Sequence, residues 1–393
     1  MENFVNIQNA KIEYYRFIKS CCIEEEYRLT PRSEVSPYAL CFAIFGYNLL
    51  GCKQKIEENK VYWNMLIRRG LELKREERKY LGNLNRDKPY LQLLTFSLSA
   101  LSILGTLRTD PLAKEVLELI PDNIESELNL SGTLDGIAGT GNHAMFLGVL
   151  LIHAKSYLGI NTDEELDAWS RLHLESMNQF GFWGLSKSMS HLQFQNGYHQ
   201  YEILDYLQTN KVPWNTTADN IALLADREGH FAPYPGGGGC YDYDAIFILT
   251  GAGSKSVAKH RELLLCTAST ILAKQSEDGG FCESIYVRPR SMGNILRSAR
   301  HVSSANGQAR LERLRYSLTL LRSKHNRIDT HWSEYSRKWE ESDLWDSWFR
   351  MLTVARIDLA LDPQKFSEWG FIDYPGIGFH SALHKKPNMA SSS

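Results

Sequence analysis

A glycine followed closely by an aromatic residue recurs at near-constant spacing through the second half of this chain. Gly181-Phe182-Trp183-Gly184, Gly229-His230-Phe231 and Gly279-Gly280-Phe281 are the clearest copies, with steps of 48 and 50 residues between their first glycines. Asp329-Thr330-His331-Trp332 falls where the next copy is expected, and a shorter step leads to Trp369-Gly370-Phe371. Most copies lie between two helical runs. A period of this length marks one supersecondary unit stacked on its neighbours. Glycine reaches the positive φ that ends a helix, and the following ring plugs the gap between units. The fold class this implies is all-α: a toroid of helical hairpins, an (α/α)6-type barrel with glycine-aromatic turns.

Helical periodicity extends the pattern to both ends. It predicts helices over 11–28, 38–50, 57–74, 90–104, 112–120 and 142–157. In the repeat proper they cover 164–179, 197–207, 217–227, 241–249, 254–275, 309–324 and 343–361. Ser36-Pro37 reads as an N-cap followed by a proline at the first helical position. Strand signals are nearly absent. The expected organisation is one domain over 1–393: less regular hairpins over 1–130, the repeat region over 131–380, and a flexible tail over 381–393.

Composition narrows the function classes. Apolar residues make up 43 % of the chain, enough for a large core, and the formal net charge is only -2. No nucleic-acid footprint or polybasic membrane surface stands out. The most basic stretch, 288–315, reads as a solvated face, with an anionic ligand such as a phosphate as the alternative. The seven cysteines are irregularly spaced and form no CxxC, as expected of reduced thiols in a cytoplasmic protein. No charged n-region followed by an apolar run opens the chain, and the longest apolar stretch, 91–104, is too short to span a bilayer. Stable membrane insertion is therefore not expected, and the sequons at Asn129 and Asn215 read as chance matches. A homo-oligomer stays open.

Chemistry concentrates where turns meet inner helices. Gly236 to Gly239 are four consecutive glycines, whose conformational entropy a mere connector would avoid. They let backbone pass close to a neighbouring helix or a bound molecule. Cys240, Tyr241, Asp242, Tyr243 and Asp244 follow in the first turns of a helix, where the dipole favours a carboxylate; capping would account for only one of the aspartates. His143 begins an apolar helix after a glycine-rich turn, a plausible acid–base position or a satisfied core group. His199 and Glu202, three apart, share a helix face. In Asp343-Leu344-Trp345-Asp346-Ser347-Trp348-Phe349-Arg350 the tryptophans suit packing, and Asp346 suits a cavity wall. Cys240, Asp242, His230 and His380 are zinc-type ligands that no spacing ties together. The turn at Gly136 lacks the Lys-Ser/Thr of a phosphate loop, and no GxSxG elbow occurs.

The ring of hairpins with glycine-aromatic turns resembles the α/α toroids of terpenoid cyclases and protein prenyltransferases. Gln275-Ser276-Glu277-Asp278-Gly279-Gly280-Phe281 looks like the glutamine-to-aromatic repeat of the cyclases, and the segment from Gly229 to Tyr243 is similar to one in prenyltransferase β subunits. A looser likeness is to linalool dehydratase-isomerase-type barrels. Departures are clear: Asp242-Tyr243-Asp244-Ala245 is not DxDD, no DDxxD occurs, and no Asp, Cys and His zinc set is placed. The resemblance implies an acid–base lyase or isomerase acting on an isoprenoid-like, apolar small molecule. Asp242 or Asp244 would donate the proton and His143 or His199 would take it back, with Cys240 and Asp346 completing the catalytic set. Tyr198, Tyr241, Tyr243, Phe231, Trp183, Trp345 and Trp348 would line the substrate cavity. No cofactor is called for, although the residue types leave zinc or magnesium open. The rivals are a carbohydrate-active α/α-barrel hydrolase or lyase and a non-catalytic helical scaffold.

Overall fold

The computed structural model describes residues 5–79, 84–288, 290–322 and 326–381, so the tail expected over 381–393 lies, from 382 onward, outside the described residues. The chain is mostly helical. In order, its helices are α1 (Val5–Ser20), α2 (Pro37–Leu49), α3 (Lys53–Lys79), α4 (Lys88–Ile103), α5 (Ala113–Leu117), α6 (Ile124–Ser131), α7 (Gly141–Leu158) and α8 (Asp163–Glu175). Then come α9 (His191–Tyr206), α10 (Trp214–Ala222), α11 (Gly239–Gly251), α12 (Ser254–Lys259), α13 (Arg261–Ala273), α14 (Met292–Ser303), α15 (Gly307–Arg322) and α16 (Leu344–Leu361). Short antiparallel ladders pair β1 (Cys22–Ile23) with β2 (Glu26–Tyr27), β3 (Phe281–Cys282) with β6 (Ser342–Asp343), and β4 (Arg327–Thr330) with β5 (Ser333–Lys338).

Two kinds of helix alternate. In α4 every residue from Tyr90 to Leu101 is buried, and α2, α7, α9, α11 and α16 are buried on nearly all sides. A helix apolar all round needs neighbours all round. These six find them in each other: α2 packs on α4, α4 on α7, α7 on α9, α9 on α11, α11 on α16, and α16 again on α2. The remaining helices are one-sided. In α3 only Ile56, Trp63, Ile67 and Leu71 are buried, a single stripe at helical spacing turned toward α2 and α4. The main hydrophobic core runs from Ile7 to Ile377, and a small second cluster joins Ala232, Tyr234, Val287 and Trp339. The first hundred residues thus supply two of the six all-round-buried helices.

The glycine-aromatic copies are one turn built three times. The Asn178, Asp226 and Ser276 amides donate to the carbonyls of Phe182, His230 and Gly280, at 2.6, 2.8 and 2.9 Å. Each turn's glycine has positive φ, +84° at Gly181, +79° at Gly229 and +86° at Gly279. Each also presses on the next outer helix, where a Cβ would strike Thr217 of α10, Thr267 of α13 and Glu13 of α1 respectively. The following rings, Phe182, Phe231 and Phe281, are buried. The glycine is therefore needed twice, for conformation and for clearance.

Several sequence expectations are corrected. The helix expected over 11–28 stops at Ser20, and a β1–β2 hairpin follows. Ser36 makes no side-chain cap, because its hydroxyl donates to the Trp332 carbonyl instead. The helix expected from 197 starts at His191, capped by Ser190 accepting from the Gln193 amide. The segment around Trp332 is no glycine-aromatic turn but the β4–β5 hairpin. After the third turn the chain leaves the repeat through α14, α15 and that hairpin, and returns where Phe281 pairs with Asp343 and Cys282 with Ser342. Only then does α16 begin, capped by Asp343. Residues 283–341 are thus an insertion between a turn and its inner helix.

Phe182→Ala and Phe281→Ala should each destabilise the protein by about 3–5 kcal/mol through the cavity left between units. Denaturant unfolding checks this, and a loss below about 1 kcal/mol at both sites would show that the rings are not plugs.

Candidate functional site

The four glycines lead into a buried ion pair. Asp242 is fully buried; its Oδ2 accepts from His230 Nδ1 at 2.7 Å and from Arg350, and its Oδ1 accepts from the Phe231 amide at 2.9 Å. Arg350, on α16, also donates to the Gly237 and Gly236 carbonyls at 2.6 and 3.1 Å. On the far side, His230 Nε2 meets Lys274 Nζ at 2.7 Å, and Lys274 in turn reaches Glu228. Close approach explains the glycines. A Cβ at Gly237 would lie 2.7 Å from His230 Nδ1 and 2.8 Å from Asp242 Oδ2. At Gly238 it would overlap the Tyr234 hydroxyl and the Glu283 carboxylate, and at Gly239 it would sit 3.0 Å from Asp346 Oδ1.

Asp244 has the opposite environment. Two residues on a helix are about 200° apart, so it faces away from the Arg350 pair. It is 3 % exposed, and burial, then the Glu202 and Asp242 charges, push its carboxyl well above the usual carboxylate range with no cation to offset them. Glu202, on α9, is fully buried; one oxygen accepts from the Tyr198 hydroxyl, and burial raises its carboxyl well above normal despite Tyr198 and Arg356. Two neighbouring carboxyls in a low dielectric cannot both ionise cheaply, so both favour the protonated acid. His199, on the same helix as Glu202, is the reverse case: burial, then Lys88, lower its imidazole to about 3, so it stays neutral. Cys240, one turn before Asp244, is held as a thiol by burial and the surrounding carboxylates.

Aromatic rings line this interior. Tyr198 meets Tyr243 edge-on at 6.1 Å, Tyr243 meets Phe349 at 5.4 Å, Phe349 meets Trp345 at 4.4 Å, and Trp345 meets Trp332 at 4.4 Å. Exposure rises toward the N-terminal end of α11. Cys240 and Tyr241 are half-buried and Lys88, at the start of α4, is exposed, whereas Asp244 is almost sealed.

Beside Cys240 the insertion contributes a second cluster. Arg337, from β5, donates to Asp343, to Asp346 Oδ2 at 3.0 Å and to Glu283 Oε2 at 3.4 Å. One guanidinium thus faces three carboxylates, of which Asp343 and Asp346 are buried and Glu283 is partly exposed. Burial, then the Asp346 charge, lift Glu283 up to about 7 against the pull of Arg337 and the Tyr234 hydroxyl that donates to it.

The expected site residues thus divide. Asp244, Tyr198, Tyr243 and Cys240 belong to one neighbourhood on α9 and α11, His199 touches it through the Tyr198 ring at 5.3 Å, and Trp345 extends the chain of rings through Phe349. Trp348, buried, packs behind Trp345 against Phe45 and Phe42, and Tyr241 lies against Phe194 and Tyr234. Asp242 is engaged by His230, Arg350 and the Phe231 amide. Asp346 joins the Arg337 cluster. His143 pairs with Glu127 of α6 at 2.9 Å, so its ring is engaged from the outer layer. Phe231 is a turn plug, and Trp183 donates to the His173 carbonyl between α8 and the turn. Arg350 and Glu202 stood inside segments already singled out, but Arg337 and Glu283 come from parts of the insertion outside its helices. A cleft of about 940 Å³ between α8 and the start of α10 holds none of these residues. Among the described residues no three His, Cys, Asp or Glu side chains converge as a metal-ligand set.

Arg350→Met should cost about 3–5 kcal/mol in denaturant unfolding, because it leaves the buried Asp242 carboxylate without its guanidinium partner. Glu283 binds its proton more tightly in the folded state than at the ordinary 4.5 of the unfolded chain, so its contribution is complete below about 4.5 and lost as pH rises through about 7. Glu283→Gln should therefore flatten the fall in stability across that interval; an unchanged pH profile would remove the assignment. Against known proteins, no family model, no curated protein and no solved structure matches the chain.

Proposed function

We propose that the cyclic packing of α2, α4, α7, α9, α11 and α16 is an (α/α)6-type toroid, and that the protein is an acid–base enzyme acting on an isoprenoid-like, apolar small molecule inside it. The observation that carries this reading is Asp244, a buried carboxyl whose burial and neighbouring charges no cation offsets among the described residues, next to Glu202, a second carboxyl pushed toward its protonated form. Such a group is a proton donor in waiting. Asp244 transfers its proton to an alkene carbon, or to an alcohol oxygen that then leaves as water. The carbocation is stabilised by the faces of Tyr243, Phe349 and Trp345. A proton on the adjacent carbon passes to neutral His199, a new double bond forms, and His199 gives that proton to Asp244 or water. Electrons balance without an oxidant. A weak base suffices, because a proton beside a carbocation is strongly acidic.

The tryptophans weigh against a sugar substrate. Of the nine, all but Trp214 and Trp332 are buried, and those two are partly buried, so no tryptophan offers an exposed platform. A non-catalytic scaffold would leave Asp242, Asp244 and His199 scattered on the surface, yet all three are buried. The free thiols suit a cytoplasmic setting, and no described helix is long and apolar enough to cross a membrane.

The test is product analysis with farnesol and squalene as a representative prenyl alcohol and polyene, beside oligosaccharides as the competing class. Asp244→Asn should lower turnover of the prenyl substrate by at least about 100-fold, with an unchanged circular-dichroism spectrum. Full activity in a folded Asp244→Asn protein, or turnover of the sugars alone, would sink this reading.

A further inference from the structure

We propose that the inserted helical pair α14–α15 docks the protein on an anionic lipid surface. The inference rests on the insertion alone and is independent of the reaction assigned to the interior.

The pair carries two exposed apolar stripes that the fold does not use. Met292, Ile295 and Leu296 on α14 and Leu311, Leu314, Leu318 and Leu321 on α15 are exposed by between 39 % and 72 %. Their spacing is helical. At 100° per residue the four leucines of α15 fall within an arc of about 80°, bordered by Arg310 on one side and by Arg322 and Arg315 on the other. Arg300 borders the stripe of α14 in the same way. The opposite faces are anchored: fully buried Arg313 donates to the Leu224, His301 and Ser304 oxygens, and Arg288 donates to the Leu320 carbonyl. The apolar stripes are thus held facing outward.

Charge says what covers them. Residues 284–322 hold eight arginines and a single acid, Glu312, which is itself turned inward to accept from the His191 and Leu192 amides. Arg290, Arg300, Arg310, Arg315 and Arg322 are exposed. A second copy of this chain meeting the patch about a two-fold axis would set arginine against arginine. The chain's own residues 382–393 contain two lysines and no acid, so they offer no complement. Nucleic acid would engage the arginines but leave the leucines in water. A leucine stripe bordered by arginines is the pattern that seats a helix at the boundary of headgroup and acyl chain, with guanidinium groups on lipid phosphates. The net charge of the whole chain is only -2, so this basic face is local and would orient the protein on the surface.

Vesicle sedimentation with the full-length protein tests this without any substrate. Vesicles of phosphatidylcholine containing about a quarter phosphatidylserine should carry the protein down, and phosphatidylcholine alone should bind it at least about tenfold more weakly. Arg310→Gln/Arg315→Gln/Arg322→Gln should weaken binding by about 100-fold, near fivefold per arginine. Leu314→Gln/Leu318→Gln should weaken it by about tenfold, while circular dichroism stays unchanged because all five side chains are exposed. No sedimentation with the phosphatidylserine vesicles would overturn the proposal, as would binding that neither variant reduces. A dimer in analytical ultracentrifugation that the leucine variant dissolves, with no vesicle binding, would assign the patch to a second copy and also overturn it.

Discussion

The ion pair between Asp242 and Arg350 is the constraint on which this architecture turns. It joins α11 to α16, the most extensively packed helix pair in the molecule, at the point where both begin. Two buried charges are costly to desolvate, and they are tolerated only when every donor and acceptor is used. Here His230, the Phe231 amide and the carbonyls of Gly236 and Gly237 complete the set. That requirement propagates outward. Backbone must run close to both side chains, so the loop is glycine; His230 must point inward, so the glycine-aromatic turn that carries it is fixed; and Lys274 with Glu228 follows on the other face.

Locking Asp242 also defines what Asp244 is. The two aspartates differ by about 200° of helix rotation, and that rotation decides whether a carboxyl meets a guanidinium or another carboxyl. One accepts from a guanidinium and an imidazole, and the other is pushed toward its protonated form, although residue type and helix are the same. The Arg337 cluster repeats the theme with three carboxylates and one cation, so Glu283 holds its proton far above the ordinary carboxylate range. Both clusters adjoin Cys240, and the uncompensated acidity of this region is concentrated at the N-terminal half of α11.

The insertion between the third turn and α16 serves two ends of the molecule. Its return strand delivers Arg337 into the buried cluster and is clamped by the β3–β6 ladder. Its helical pair is anchored by Arg313 and Arg288 and displays leucine and arginine to the outside. A repeat unit can accept such an excursion because its inner helix needs only to start in the right place, and Asp343 fixes that start by capping α16.

The sequence by itself determined the parts governed by local physics. Glycines with positive φ, rings that follow them and helices with one or several apolar faces are consequences of neighbouring residues, so the all-helical character and the repeating turn were legible. So was the close approach of backbone at Gly236-Gly237-Gly238-Gly239, which brings Gly237 against His230 and Asp242. Only the tertiary structure decided which of two adjacent aspartates is paired, that His143 turns to Glu127, and that the Trp332 segment is a hairpin in an insertion. Those outcomes depend on Arg350, Glu127 and Arg337, which reach their partners across 108, 16 and 9 residues of chain or from outside the repeat. Burial and charge pairing are properties of the packed molecule, and no local pattern encodes them.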